Sequence, residues 1–188
     1  MKNFLDFLYD TLFGHYFILK AYFFAKKAHQ HQKRKYTNEP YFSHCLEVYR
    51  EANQYNSHWT SKVAALLHDV VEDVEWTSID LIASKFGGKA ASKVASLTNC
   101  DKSLGNRATR CKIDNHRLQL ADEDIQNIKL CDIKSNCKSI FEHDKKFARV
   151  YIEEKLQQAE LLTKANKELR QNVLSELHWY HVQLKELK

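Results

Sequence analysis

Proline and glycine are scarce here: one proline and four glycines in 188 residues. So few backbone punctuators exclude a turn-rich sandwich or barrel and leave long helices as the expected element. No CxxC pair occurs, and the five cysteines are odd in number. That excludes zinc-finger and disulfide frameworks, and reduced thiols in a cytoplasmic protein fit instead. Cys45 and Cys131 stand in apolar surroundings and read as small core residues. A strong charge of one sign is lacking too. The formal balance of +5 is scattered and does not call for a nucleic-acid partner. Nor is there a clean apolar run. The opening "MKNFLDFLYDTLFGHYFILKAYFF" is interrupted by Asp6, Asp10, His15 and Lys20. A signal peptide needs a cleaner run, and a membrane span needs about 20 apolar residues. We read two amphipathic core helices and no membrane partner.

What is present is apolar content of 44%, enough for a globular core. Apolar spacing predicts helix nearly throughout, an all-α fold of roughly ten helices. Helices are expected over 2–13, 16–33, 41–55 and 60–72, then onward to a last one over 167–187. "YTNEP" is a loop, and "TSID" resembles a capping box with Asp in place of Glu. No linker is evident, so residues 1–188 are expected to form one domain with a C-terminal helical extension from about 167. In that extension Leu169, Val173, Leu177, Tyr180, Leu184 and Leu187 make one apolar stripe. It either packs on its own domain or serves a partner helix in a homo-oligomer.

"AALLHDVVEDVEW" carries the chemistry. Val63 to Leu67, with Val70 and Val71, describe a buried helix, and His68 and Asp69 interrupt it. A buried carboxylate is expensive unless it is paired, hydrogen-bonded or bound to a metal. Glu72 follows His68 by four residues and Asp73 follows Asp69 by four, so each acid lies one turn beyond a candidate ligand. His44 and Asp132 sit among apolar residues on two other expected helices, and Asn136 lies one turn after Asp132. Two histidines and two aspartates suit Mn²⁺, Fe²⁺, Co²⁺ or Zn²⁺. Taken singly, each is more often a satisfied core polar residue than a ligand; together they point to a metal.

The order H…HD…D resembles the HD superfamily of metal phosphohydrolases. "AHQHQKRKYTNEPYFSH", "LLHDVVEDVEWT" and "IKLCDIKSNCKSI" resemble, in that order, three segments of the RelA/SpoT hydrolase domain. "FEHDKKFARVYIEEK" is similar to the tail of the single-domain small alarmone hydrolases of the Mesh1 kind. The resemblance implies an HD-domain helical bundle without the family's synthetase partner. It implies Mn²⁺ held by His44, His68, Asp69 and Asp132. Glu72 and Asp73 would then handle water and protons. Arg34, Lys35, Asn136 and Lys138 would contact a guanosine nucleotide. The implied reaction, part of the stringent response, removes the 3′-pyrophosphate of the alarmones ppGpp and pppGpp, giving GDP or GTP.

Four departures bear on substrate grip and not on the ligand set. The loop after Lys35 is one residue longer than the family form, and Val74 stands where threonine is common. "LTNCDK" lacks a lysine usual after the Val-Thr pair, and Lys138 replaces an arginine. They keep open another nucleotide substrate, such as a dNTP or NADPH, or a non-catalytic nucleotide-binding module. Arg107, Arg110 and Arg117 either compensate or form a solvated face.

Overall fold

The computed structural model describes the backbone of residues 4–187 and the side chains of residues 11–187. The described residues form ten α-helices and one short 3-10 turn. No strand is present among them beyond a single bridge between Lys33 and Pro40, as the shortage of turn residues requires. No described helix is long and apolar enough to cross a membrane. The chain divides into two compact units, residues 1–33 with 39–98, and residues 34–38 with 99–188.

The first unit contains α1 (Phe4–Ala28), α2 (Phe42–Ala52), α3 (Trp59–Leu67), α4 (Val70–Asp73), α5 (Ile79–Phe86) and α6 (Gly88–Leu97). Helix α3 is its axis: α1, α2 and α6 all pack on it, and α5 packs on α6. Residues Val63 to Leu67 are buried on every side, so a helix apolar all round finds the environment its composition demands. Ser78 caps α5 by accepting from the Leu81 amide at 3.1 Å, one residue later than a cap on Thr77. The Thr77 hydroxyl instead donates to the Val70 and Val74 carbonyls.

Two helices expected at the N-terminus are one. The start of the first expectation, at residue 2, lies outside the described residues, and α1 runs unbroken through Gly14 to Ala28. A lone glycine costs a helix only about 1 kcal/mol relative to alanine, and here its bareness has a packing use. A Cβ on Gly14 would stand 2.9 Å from the Trp59 Cβ. The helix also stops earlier than expected, and residues after Ala28 turn back, with the Gln32 amide donating to the His29 carbonyl at 3.0 Å.

The second unit holds α7 (Arg107–Leu120), α8 (Glu123–His143), α9 (Lys145–Leu161) and α10 (Lys167–Glu186). Helix α8 packs against the other three. Asp122, Asp144 and Asn166 cap α8, α9 and α10, as short polar side chains at helix starts should. Two buried amides of α8 serve the loop before α10. Gln126 Oε1 accepts from the Lys164 and Ala165 amides, and Asn127 Oδ1 accepts from the Asn166 amide. The apolar stripe of α10 is buried from Leu169 to Leu184, while Leu187 is 47% exposed. It packs on α8 and α9, so the stripe serves its own unit. No disulfide links the cysteines, and Cys45, Cys131 and Cys137 are buried.

Replacing Gly14 by valine forces the α1–α3 approach apart. We expect a loss of about 1–3 kcal/mol in stability, read from urea unfolding. An unchanged midpoint would show that the glycine has no packing role.

Candidate metal centre

His68 and Asp69 do not lie within one helix. Helix α3 ends at Leu67 and α4 begins at Val70, so the pair occupies the turn between them. On a straight helix neighbouring side chains diverge by about 100°. At this turn they converge, and His68 Nε2 lies 3.1 Å from Asp69 Oδ2. His44 arrives from α2, which packs on α3. Its Nε2 is 3.3 Å from His68 Nε2 and 3.4 Å from Asp69 Oδ2. Both imidazoles are buried and Asp69 is half-buried.

These atoms make a triangle of electron-pair donors. Metal–ligand distances near 2.1 Å place neighbouring donors about 3.0 Å apart around an octahedral ion and about 3.4 Å apart around a tetrahedral one. The observed edges of 3.1–3.4 Å span that range, so the residues fit a divalent cation. The supporting contacts point the same way. His68 Nδ1 lies 2.9 Å from the Ala65 carbonyl, which fixes the proton on Nδ1 and turns the Nε2 lone pair toward the triangle. The Tyr41 hydroxyl donates to Asp69 Oδ2 at 2.7 Å.

Glu72 and Asp73 follow on α4, and both are exposed. The one-turn relation holds, because the Asp73 amide donates to the Asp69 carbonyl at 3.0 Å. Asp73 is exposed as a residue, but its carboxyl group is partly withdrawn from water; this, then repulsion by Asp69 and Glu72, pushes it from 3.8 up to about 6.

Two residues of this unit gain a place that sequence reasoning did not give them. His29 is 1% exposed, and its Nδ1 lies 2.5 Å from Gln32 Oε1. Its Nε2 has no hydrogen-bond partner. Burial, ahead of any other cause, holds its pKa below 6.5 and keeps the ring neutral. Gln32 in turn donates to the Asp73 carbonyl at 2.7 Å. The spacing of His29 and Gln32 inside "AHQHQ" was the available signal.

The second unit contains Asp132, Asn136, Arg34, Lys35 and Lys138. Asp132 is buried on α8, and both carboxylate oxygens are engaged. Lys129 Nζ donates to Oδ2 at 2.8 Å, and Asn136 Nδ2 donates to Oδ1 at 2.6 Å. Arg34 donates to Asn136 Oδ1 at 3.1 Å and reaches the Ser135 carbonyl at 3.4 Å. Lys35 is exposed, 3.1 Å from the Tyr36 hydroxyl and 3.7 Å from Asp144. Lys138 is exposed on α8. The three arginines of α7 have local partners: Arg107 grips Glu154 with two nitrogens, Arg110 donates to the Gly105 carbonyl, and Arg117 pairs with Asp114.

A fold of packed helices carrying a His, His-Asp triangle defines a class, and sequence comparison names it. The family model for the HD domain matches residues 21–178, and the chain belongs to that family. A solved structure of a metazoan orthologue of SpoT, described as hydrolysing ppGpp, shares the fold with a TM-score of 0.77. It is 24% identical and covers 86% of this chain and 93% of its own. A probable chloroplastic GTP diphosphokinase of Arabidopsis thaliana is 32% identical over 143 residues, 71% of this chain and 20% of the relative. A guanosine-3′,5′-bis(diphosphate) 3′-pyrophosphohydrolase of Aquifex aeolicus is 40% identical over 85 residues, 45% of this chain and 12% of the relative. The chain thus spans a fifth or less of these curated relatives.

The raised pKa of Asp73 has a sign for stability. Between pH 3.8 and about 6 the folded state holds a proton that the unfolded state has lost, so this group's contribution falls as pH rises through that window. His29 acts oppositely, since a neutral buried ring loses stability as pH falls below 6.5. Comparing Asp73→Asn with the parent isolates the first effect. In metal-free protein the variant should unfold at higher temperature at pH 7, and the gain should vanish near pH 4. A gain independent of pH would overturn the assignment.

Proposed function

We propose that this chain is a metal-dependent (p)ppGpp 3′-pyrophosphohydrolase that uses Mn²⁺. The observation that carries the reading is the triangle of His44 Nε2, His68 Nε2 and Asp69 Oδ2, with edges of 3.1–3.4 Å and a Glu-Asp pair one turn on. The name borne by the Aquifex aeolicus relative and the description of the metazoan structure support the substrate. The ligand set would be His44, His68, Asp69 and, following the family pattern, Asp132. A divalent cation held by such a set lowers the pKa of water and polarises a phosphoryl oxygen.

The chain's own groups have separable tasks. Water supplies the oxygen of a new P–O bond, the bond from phosphorus to the ribose 3′ oxygen breaks, and pyrophosphate leaves. One proton must be taken from water and one given to the 3′ oxygen. Glu72 and Asp73, one turn beyond the metal triangle, perform this exchange. Lys35 and Lys138 are exposed cations able to offset phosphate charge. Arg34 and Asn136 hold one another at 3.1 Å and would meet the nucleotide as a unit.

The test is a product analysis. Purified protein with Mn²⁺ is given ppGpp, pppGpp, dNTPs and NADPH in parallel, and products are identified by mass spectrometry. Release of GDP and intact pyrophosphate from ppGpp is expected. Asp69→Ala should lose more than the about 10–100-fold that outer-sphere substitutions cost. Turnover confined to dNTPs or NADPH would replace the substrate, and ppGpp binding without turnover would leave a binding module. Activity surviving in Asp69→Ala would remove the metal triangle from the reaction.

A further inference from the structure

The tautomer of His29 is set by a backbone atom of α4. The Asp73 carbonyl can only accept, and it lies 2.7 Å from Gln32 Nε2. That contact decides which way the Gln32 amide faces, so its Oε1 is the atom turned to His29 Nδ1, 2.5 Å away. An amide oxygen has no hydrogen to give, so Nδ1 carries one. Burial keeps the ring neutral, which leaves Nε2 as a bare lone pair. It has no donor among the described residues, in a side chain that is 1% exposed. A buried acceptor left without a donor is costly, and such atoms are accounted for by water, an ion or a catalytic role.

The ring lies beside the metal triangle. It packs on Tyr41 with centroids 4.9 Å apart, and the Tyr41 hydroxyl donates to Asp69 Oδ2 at 2.7 Å. Asp69, His68 and His44 are all among the charges that act on it. Yet His29 does not join the three donors that lie within 4.8 Å of one another. Even opposite donors on one ion stand only about 4.2 Å apart, twice a metal–nitrogen bond, so direct ligation is excluded. The neighbouring groups do not supply the missing hydrogen either. His68 Nε2 turns a lone pair inward, Asp69 accepts, and the Tyr41 hydrogen points to Asp69. Water meets both demands, with oxygen toward a cation and hydrogen toward a lone pair. We propose that His29 is a positioning residue of the metal centre, its Nε2 accepting a hydrogen bond from a water on the cation held by His44, His68 and Asp69. The inference rests on the metal reading of the triangle and not on the identity of the nucleotide. An acceptor on one side of that water fixes where its second hydrogen faces, so His29 acts on geometry and takes no proton itself. Gln32 ties this orientation to α4, the helix that bears Glu72 and Asp73.

The test is read on Mn²⁺ alone, with no nucleotide present. Free Mn²⁺ is followed by electron paramagnetic resonance as it is titrated into the metal-free full chain. His29→Phe keeps a ring against Tyr41 and removes the nitrogen, and the half-buried Gln32 can turn its freed oxygen to water. This variant should bind Mn²⁺ about tenfold or more weakly, within the range of about 10–100-fold for groups that support metal ligands from outside. His29→Gln returns an acceptor oxygen near the Nε2 position and should recover most of that loss. Thermal unfolding of the metal-free proteins separates a purely structural role. His29→Phe should unfold no earlier than the parent, because an unpartnered buried nitrogen is gone. Unchanged Mn²⁺ affinity in His29→Phe overturns the proposal, as does an equal loss in His29→Phe and His29→Gln. A parent that binds no Mn²⁺ overturns it together with the metal reading, whereas a failure confined to His29→Phe strikes only the role of His29.

Discussion

Three candidate ligand atoms held face to face govern the first unit. His44 Nε2, His68 Nε2 and Asp69 Oδ2 lie within 3.4 Å of one another, with both rings out of water. His68, with its proton held on Nδ1, turns a lone pair to the Asp69 carboxylate, and burial strengthens that repulsion because little solvent screens it. The surrounding fold maintains the arrangement. Helix α3 is locked by apolar packing against α1, α2 and α6, and its end at Leu67 lets two consecutive side chains converge. The Ala65 carbonyl and the Tyr41 hydroxyl then set the orientation of His68 and Asp69. A cation among the donors would turn the repulsion into attraction, and its binding would then stabilise the fold as well.

The second unit solves a related problem differently. Asp132 is as buried as the histidines, yet its charge is met inside the unit by Lys129 and Asn136. Such a pair is costly to desolvate, and its hydrogen bonds offset that cost only when the geometry is good. Lys155 lies close enough to add to the balance. Burial, and next the charge of Lys129, pushes it down to about 8. Arg34 closes the chain by donating to Asn136. The result is a fixed line from guanidinium to amide to carboxylate to ammonium. Arg34 is therefore a holder of Asn136 before it is anything else, and an arginine fork committed at both tips presents less of itself to a phosphate.

Much of this could be read from the chain alone. Scarce proline and glycine predicted helices, and the helices came. The buried run around His68 was legible because a helix apolar all round has only one stable environment. His44 and Asp132 were legible as polar residues that apolar neighbours would not tolerate without a reason. The break after Leu67 was not legible, since "LLHDVV" holds no proline or glycine to force one. It follows from packing and from the demand that His68 and Asp69 face one point. Glu72 and Asp73 were legible only by their spacing from His68 and Asp69, and the same break carries them to the surface. His29 escaped notice because a buried histidine with a glutamine three residues on is common, and only the fold shows that one of its nitrogens is left without a partner.

The sharpest limit on pattern reading lies in two stripes. Helices α1 and α10 both carry large apolar residues at alternating steps of three and four, and for α10 the sequence left two readings, its own domain first and a partner helix second. The structure takes the first of these readings, with α10 burying its stripe on α8 and α9, while α1 keeps Leu12, Tyr16, Leu19 and Phe23 in water. Period alone cannot distinguish them, because a helix against its own core and a helix against a second chain obey one rule. The difference lies on the opposite side of each helix. Behind the stripe of α10 stand mostly polar residues, so the stripe is the only face that can be buried. Behind the stripe of α1 stand Gly14, Ala21 and Ala25, small residues that let the helix approach its own unit closely. A helix with a small-residue face and a large-residue face has two apolar sides, and its unit can use only one.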